Sequence, residues 1–293
     1  MRQAEAARLT DARVSYPEYY LKPFHAYSEG NLNWLAAFEA ESATYSMALR
    51  VWCALALRAA RRCALRCVAD GLLARSAARR PAEVKAGALG WRDAQARLRD
   101  SFTDALRSYA QQHGARLLQP GAEALDVGCS VGISTRALCA AFPDAKCVTG
   151  LDLSPYMLSV ASLRDQGQPV SGPERAWVHG LAEATGLEAA SVDLYAASFL
   201  FHELPQDATA AVLAEAFRVL RPGGVFALTD NNPSSEVIQK LPPALFTLMK
   251  STEPHSDEYY VLDTEAVMRA AGFQEVVTVP TDPRHRTVLG LKR

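Results

Sequence analysis

The sequence predicts an α/β fold: a mostly parallel sheet covered by helices, closed by an antiparallel terminal strand and preceded by an α-helical N-terminal part. Three observations carry this. Composition changes near residue 115, from Ala- and Arg-rich helix formers to short Val/Leu/Ala segments that alternate with helical stretches between Gly and Pro. Residues 192–201 are nearly all apolar, as a strand covered on both faces must be. The last two apolar segments flank the turn Asp282-Pro283, as in an edge hairpin.

The elements follow in order. Residues 122–127 form a short apolar strand that ends in a glycine turn, with a helix over 133–141 after it. A second strand over 146–151 ends at Asp152, and Ser154-Pro155 supply an N-cap and a first-turn proline for the next helix. A third strand covers 174–179 and the fourth 192–201. A helix over 206–220 stops at Arg221-Pro222-Gly223-Gly224, before a fifth strand at 225–229. Residues 264–271 read as a helix ended by Gly272, and strands over 273–279 and 287–291 complete a seven-stranded sheet. The division expected is a helical extension, 1–114, and a sheet domain, 115–293.

At 293 residues, 49% hydrophobic and 22% charged, the chain has apolar material for one large or two modest cores, which excludes a disordered tail protein. A net charge of -1 offers no global attraction to nucleic acid, so no DNA partner is expected. The six cysteines (53, 63, 67, 129, 139, 147) show no metal spacing and no disulfide framework, so no metal is expected and a reducing cytoplasm or plastid stroma fits. No apolar stretch reaches the roughly 18 residues of a membrane span, and the polar start does not read as a signal peptide. Residues 50–80 carry eight arginines and a single carboxylate, Asp70. They read as a basic surface helix, or as a contact for anionic lipid, RNA or an acidic partner, inside an insertion spanning about 50–90.

The informative loop is Asp126-Val127-Gly128-Cys129-Ser130-Val131-Gly132. Glycines at 128 and 132 allow close backbone approach to a ligand. The spacing lacks the third glycine of a dinucleotide loop, and Asp126 is a poor neighbour for phosphate but a good one for an amino group. Asp152, some twenty residues on, stands where an open α/β sheet places a ribose-binding carboxylate. A nucleoside with an ammonium head fits these groups. Cys129 reads as a small wall residue, not a nucleophile.

Together these segments resemble the class I S-adenosylmethionine-dependent methyltransferases. Residues 126–132 look like the family's first motif and Asp152 like its second. Gly180-Leu181-Ala182-Glu183 resembles the adenine-flanking segment, 191–195 the fourth-strand motif, and 215–224 the stretch before the fifth strand. The resemblance implies a Rossmann-like sheet, S-adenosylmethionine as cofactor, and cofactor contacts from Asp126, Gly128, Cys129, Ser130, Gly132, Asp152, Leu153, Met157, Leu181, Ala182, Glu183 and Ser198. Many members carry Asp where this chain has Leu181, so adenine recognition falls to backbone around Ala182, with Glu183 a substitute. The chain is also similar to the ubiquinone and menaquinone biosynthesis methyltransferases. It is closer to a plant and algal methyltransferase-like set of unassigned substrate, through Tyr16-Pro17-Glu18-Tyr19-Tyr20, Pro23-Phe24-His25-Ala26-Tyr27, residues 30–34, and 251–260.

Methyl transfer from a sulfonium needs alignment more than covalent help, and a base only where the acceptor must lose a proton. His202, just past the fourth strand, reads either as that base or as the cap of the helix beginning at Leu204-Pro205; Glu203 would orient it or bind a positive substrate. The irregular aromatic run from Tyr16 to Trp34 reads as a lid, or as packing against outer helices. The substrate pocket expected is roofed by Tyr19, Tyr20, Phe24, His25 and Tyr27 and floored by His202, Asn231, Asn232 and Tyr259. The acceptor expected is a small aromatic or quinone-like molecule methylated on carbon or oxygen. Methylation of protein or RNA, or a cofactor-binding assembly role without catalysis, are the alternatives.

Overall fold

The computed structural model describes residues 2–69, 90–166 and 172–293. Helices α1 (Arg2–Leu9), α2 (Trp34–Ala69) and α3 (Trp91–His113) precede the sheet. Then follow β1 (Glu123–Val127), α4 (Ile133–Ala141), β2 (Cys147–Asp152), α5 (Pro155–Asp165), β3 (Glu174–His179), β4 (Val192–Ser198), α6 (Gln206–Val219) and β5 (Leu220–Asn231). Short helices α7 (Glu236–Gln239), α8 (Pro243–Thr252), α9 (Ser256–Val261) and α10 (Thr264–Ala270) lead to β6 (Gln274–Pro280) and β7 (His285–Leu291). Part of the Arg-rich segment continues α2 to Ala69; residues 70–89 lie outside the described residues. No described helix is long and apolar enough to cross a membrane.

The seven strands order as β3-β2-β1-β4-β5-β7-β6, with β7 antiparallel to both β5 and β6. From β1 the chain builds outward through β2 and β3, then returns to place β4 on the other side of β1. That reversal opens a crevice at the carboxyl ends of β1 and β4, where open α/β sheets hold ligands. Each face of the sheet is buried. Val212, Leu213 and Ala216 of α6 and Met268 of α10 cover Tyr195, Phe226 and Leu228, while Phe102, Leu106 and Tyr109 of α3 and Leu138 of α4 cover Leu194, Ala196 and Ala227. Helix α3 therefore shares its apolar layer with the sheet, although the composition change sets it in the extension.

Two boundaries differ from the sequence reading. The fourth strand stops at Ser198 rather than 201, because Phe199 adopts φ +59° and turns the chain into one tight turn over Phe201–Glu203. The fifth strand begins at Leu220 rather than 225. Leu220 pairs with Val192 while the next pairing joins Leu194 to Val225, so Arg221–Gly224 loop out of the ladder instead of ending a helix before it. Ser154 caps α5 as expected, accepting from Met157 N, with Pro155 in the first turn.

The glycine loop is held by packing. Gly132 has φ +78°, and a Cβ there would stand 2.3 Å from the Trp177 ring on β3; a Cβ on Gly150 would meet the same ring at 2.6 Å. Trp177, and not a ligand, thus requires these two glycines. Gly132→Ala is expected to destabilise the protein by about 1–3 kcal/mol through overpacking, and Trp177→Leu in the same chain should return part of that loss. Urea denaturation of the two single variants and the double variant measures the coupling.

Candidate active site

A cavity of about 890 Å³ occupies the crevice at the strand ends. One end is built on the loop after β1 and the end of β2. Gly128, Cys129, Ser130, Asp152, Leu153 and Met157 line it, and Ala182, Glu183 and Ser198 extend the wall. Asp152 is 8% exposed and accepts at Oδ2 from Ser130 N (2.8 Å) and at Oδ1 from Ser154 N (2.7 Å). Burial nevertheless lifts its pKa to about 6, against those two amides. Burial does the same to Asp126, also to about 6, against the hydroxyls of Thr135 and Ser134 that donate to its Oδ2.

Three of the residues expected at the cofactor do not line the cavity. Asp126 lies behind the cavity wall, Gly132 under Trp177, and Leu181 outside the wall in a tight bridge with Ala184. Glu183 does line the cavity, but it accepts from the Tyr19 hydroxyl, so the lid already holds the proposed adenine substitute. The Ala182 carbonyl likewise accepts from Tyr195 at 2.7 Å, which leaves the amide side of that segment for a ligand. Cys129 is buried, and burial pushes its thiol well above the ordinary range, as expected of a wall residue and not of a nucleophile.

Arg99 on α3 is the residue that sequence reasoning missed. It is 8% exposed, lines the cavity, and both its Nε and Nη1 are buried without a hydrogen-bond partner. Burial lowers its pKa only to about 10, so it stays charged, with Asp126 the carboxylate that acts on it. The only signal in sequence was an arginine on the apolar face of α3 beside Leu98 and Phe102. Asp126 Oδ1 and Ser198 Oγ are also buried without partners. An orphaned guanidinium and hydroxyl on the wall, an orphaned carboxylate oxygen close behind it, and the strand-end carboxylate Asp152 fit a zwitterionic amino acid joined to a nucleoside.

The other end gathers His202, Glu203, Asn231, Glu253 and Arg284. His202 does not cap a helix: α6 starts at Gln206 with Pro205 in the cap position. Nor does Glu203 orient it. Asp230, at the end of β5, bonds His202 Nδ1 at 2.8 Å and accepts from its backbone N at 3.1 Å. Burial opposes a charged imidazole, but the Asp230 carboxylate outweighs it and raises His202 to about 10. Burial raises Glu203 to about 8 and also raises Glu253.

Tyr19, Tyr20, Phe24, His25 and Tyr27 all line the cavity, as the lid reading requires. A turn at 24–27, with His25 and Ala26 at positive φ, hooks onto the end of α8 through His25 N and Thr252 O at 2.9 Å. Of the expected floor, Asn231 lines the cavity but Asn232 and Tyr259 do not. Asn232 Oδ1 accepts from Ser234 N in the turn leaving β5, and Tyr259 is 1% exposed, its hydroxyl donating to the Asn231 carbonyl from behind.

Residues 125–228 match the family described as "Methyltransferase domain". The chain is 30% identical over 161 residues to an uncharacterized methyltransferase of Synechocystis sp., covering 54% of this chain and 70% of that one. It is 36% identical over 107 residues to a demethylmenaquinone methyltransferase of Oceanobacillus iheyensis, covering 36% of this chain and 43% of that one. To a trans-aconitate 2-methyltransferase of Azoarcus sp. it is 34% identical over 147 residues, 48% of this chain and 53% of that one. The chain thus spans about half the length of these last two relatives. The magnesium protoporphyrin IX methyltransferase of Synechocystis with bound S-adenosylhomocysteine shares the fold, with TM-score 0.50 and 16% identity over 69% of this chain and 86% of that one.

Two predictions follow from the buried charges. Arg99→Met is expected to weaken S-adenosylhomocysteine binding by about 10- to 100-fold through loss of a charge-assisted bond, and to raise the melting temperature of the ligand-free protein, because an unpaired buried cation is removed. Calorimetry and thermal denaturation read the two effects with opposite sign. For Asp152, a folded pKa near 6 lies above the unfolded value, so the ligand-free fold gains stability as pH falls through it, whereas a ligand that needs the carboxylate loses affinity. Affinity for S-adenosylhomocysteine should therefore fall below about pH 6, and Asp152→Asn should bind weakly at every pH and lose that dependence.

Proposed function

Because the chain belongs to the class I S-adenosylmethionine-dependent methyltransferases, we propose that its acceptor is a small molecule taken whole into the cavity between the glycine loop and the His202–Asp230 pair. One observation carries this reading: a single cavity, about 890 Å³, joins the cofactor groups to His202, Glu203 and Asn231 under an aromatic roof. That volume lies in the upper part of the roughly 300–1,000 Å³ range of small-molecule sites, which suits a cofactor with a modest acceptor beside it.

When bound, S-adenosylmethionine supplies a methyl carbon already activated by its sulfonium, so the protein's task is alignment and water exclusion. Asp152 would hold the ribose, Arg99 the carboxylate of the methionine part, and Gly128 to Ser130 the backbone approach. The roof of Tyr19, Tyr20, Phe24 and Tyr27 supports an acceptor with a flat body, as expected of an aromatic or quinone-like molecule. His202 holds its proton at neutral pH, because Asp230 stabilises the imidazolium. Paired with Asp230, it therefore acts as a fixed proton donor and not as a base, and the proton of the acceptor must go elsewhere.

Incubation with methyl-labelled S-adenosylmethionine and a cell extract should place label in the small-molecule filtrate and not in protein or RNA; label in a macromolecule would overturn the reading. His202→Gln should leave S-adenosylhomocysteine binding unchanged and lower turnover about 10²-fold or more, as the loss of a group that acts on the reacting centre does. An unchanged rate per folded molecule would remove His202 from the chemistry.

A further inference from the structure

Resting on the methyltransferase reading, we propose that the acceptor is an amine, which enters as its ammonium ion beside Glu203 and Glu253 and is methylated on nitrogen. The carboxyl groups gathered at this end of the cavity favour a cationic ligand. Asp230 and His202 neutralise each other through their 2.8 Å contact. At this end stand two carboxyl groups, Glu203 on the turn after β4 and Glu253 after α8, and the cation Arg284, which donates from Nε to Asn231 Oδ1 at 3.1 Å; Arg50 and Arg99 line the same cavity. His25 of the lid approaches Glu203 at 3.8 Å, but burial lowers its pKa to about 4, so it adds no positive charge at neutral pH. Asp152 and Asp230 add negative potential at Glu203, and Tyr20 adds no cation.

One further atom points to a missing partner. Glu253 Oε2 is buried without any hydrogen-bond partner on the same cavity. In the ligand-free protein burial favours the protonated form of both carboxyl groups; a bound cation would let them ionise, whereas a carboxylate acceptor would oppose it. An ammonium supplies that positive charge and three donors, for one of which Glu253 Oε2 stands unfilled.

The step balances without another reagent. With Glu203 ionised beside the bound cation, the ammonium gives one proton to its carboxylate, whose buried position suits it to take one up. The freed nitrogen lone pair forms the bond to the methyl carbon as the carbon–sulfur bond breaks, and that electron pair stays on sulfur, which becomes a neutral thioether. The positive charge passes from sulfur to the methylated nitrogen, and Glu203 later releases its proton to water.

The test uses the full chain saturated with S-adenosylhomocysteine and matched probes on one body: tyramine, tyrosol and phloretic acid, with phenethylamine and its alcohol and acid analogues as a second set. At least one amine is expected to bind tenfold or more tighter than its alcohol and acid partners. Glu203→Gln and, separately, Glu253→Gln should each weaken that amine about tenfold or more while S-adenosylhomocysteine affinity stays within about twofold; the second variant guards against misfolding of the first. With labelled cofactor, product methyl should lie on nitrogen, and the rate should rise with pH through an ionisation that Glu203→Gln abolishes. Equal binding of amine, alcohol and acid, binding of no amine, preference for the acid, or label on oxygen or carbon would each overturn the proposal while leaving the methyltransferase reading intact. Failure to bind S-adenosylhomocysteine would instead overturn both.

Discussion

Two backbone amides converge on one buried carboxylate, and much of the molecule is arranged around that point. Asp152 takes Ser130 N from the loop after β1 and Ser154 N from the start of α5, so one side chain sets the shape of the glycine loop and the direction of the next helix. Ser130 is held at φ +51°, a conformation that would relax without this tie. Helix α5 in turn seats the N-terminal extension. Its cap Ser154 donates from Oγ to the Asn31 carbonyl at 2.7 Å, Tyr156 meets Trp34 edge-to-face, and Ser162 donates to Glu5 of α1. The N-terminal extension is therefore anchored to the same helix whose first turn is fixed by Asp152.

The cavity is a place where the fold tolerates poor local energetics. Arg99 is a buried cation with unpartnered donors, Asp126 and Asp152 are carboxylates that burial pushes toward protonation, and Ser198 keeps an idle hydroxyl. Each such group costs free energy in the ligand-free protein, because desolvation is not repaid by a partner. A zwitterionic ligand would supply those partners together, so binding and stability are linked at this site. The cost is carried by two dry apolar layers on either side of the sheet, in which Tyr195, Phe226, Leu106 and Leu138 are almost wholly excluded from water.

At the other end of the cavity the carboxyl groups are held unequally. Asp230 satisfies both its oxygens within the protein, from His202 and from the Asn231 amide, and so forms a rigid pair that needs no ligand. Glu203 and Glu253 have no such closure. They stand on a turn after β4 and on the segment after α8, rather than within the sheet.

Read alone, the sequence determined the elements with strong local signatures. Strand β3 over Glu174–His179, helix α4 over Ile133–Ala141 and the Ser154-Pro155 start of α5 depend on alternation, periodicity and capping, which are properties of neighbouring residues. The glycine-loop end of the cavity was legible for the same reason: Gly128 and Asp152 sit at strand ends, and strand ends are visible in sequence. The tertiary structure alone decided the rest. That Gly132 serves Trp177, that Tyr259 stands behind Asn231, and that Asp230 rather than Glu203 holds His202 are contacts between residues 28 to 45 positions apart or across different strands. Arg99 was hidden most completely, because a charged residue on an apolar helix face is indistinguishable in sequence from one at the water's edge. Only the approach of α3 to the ends of β1 and β4 brings it to the cavity wall.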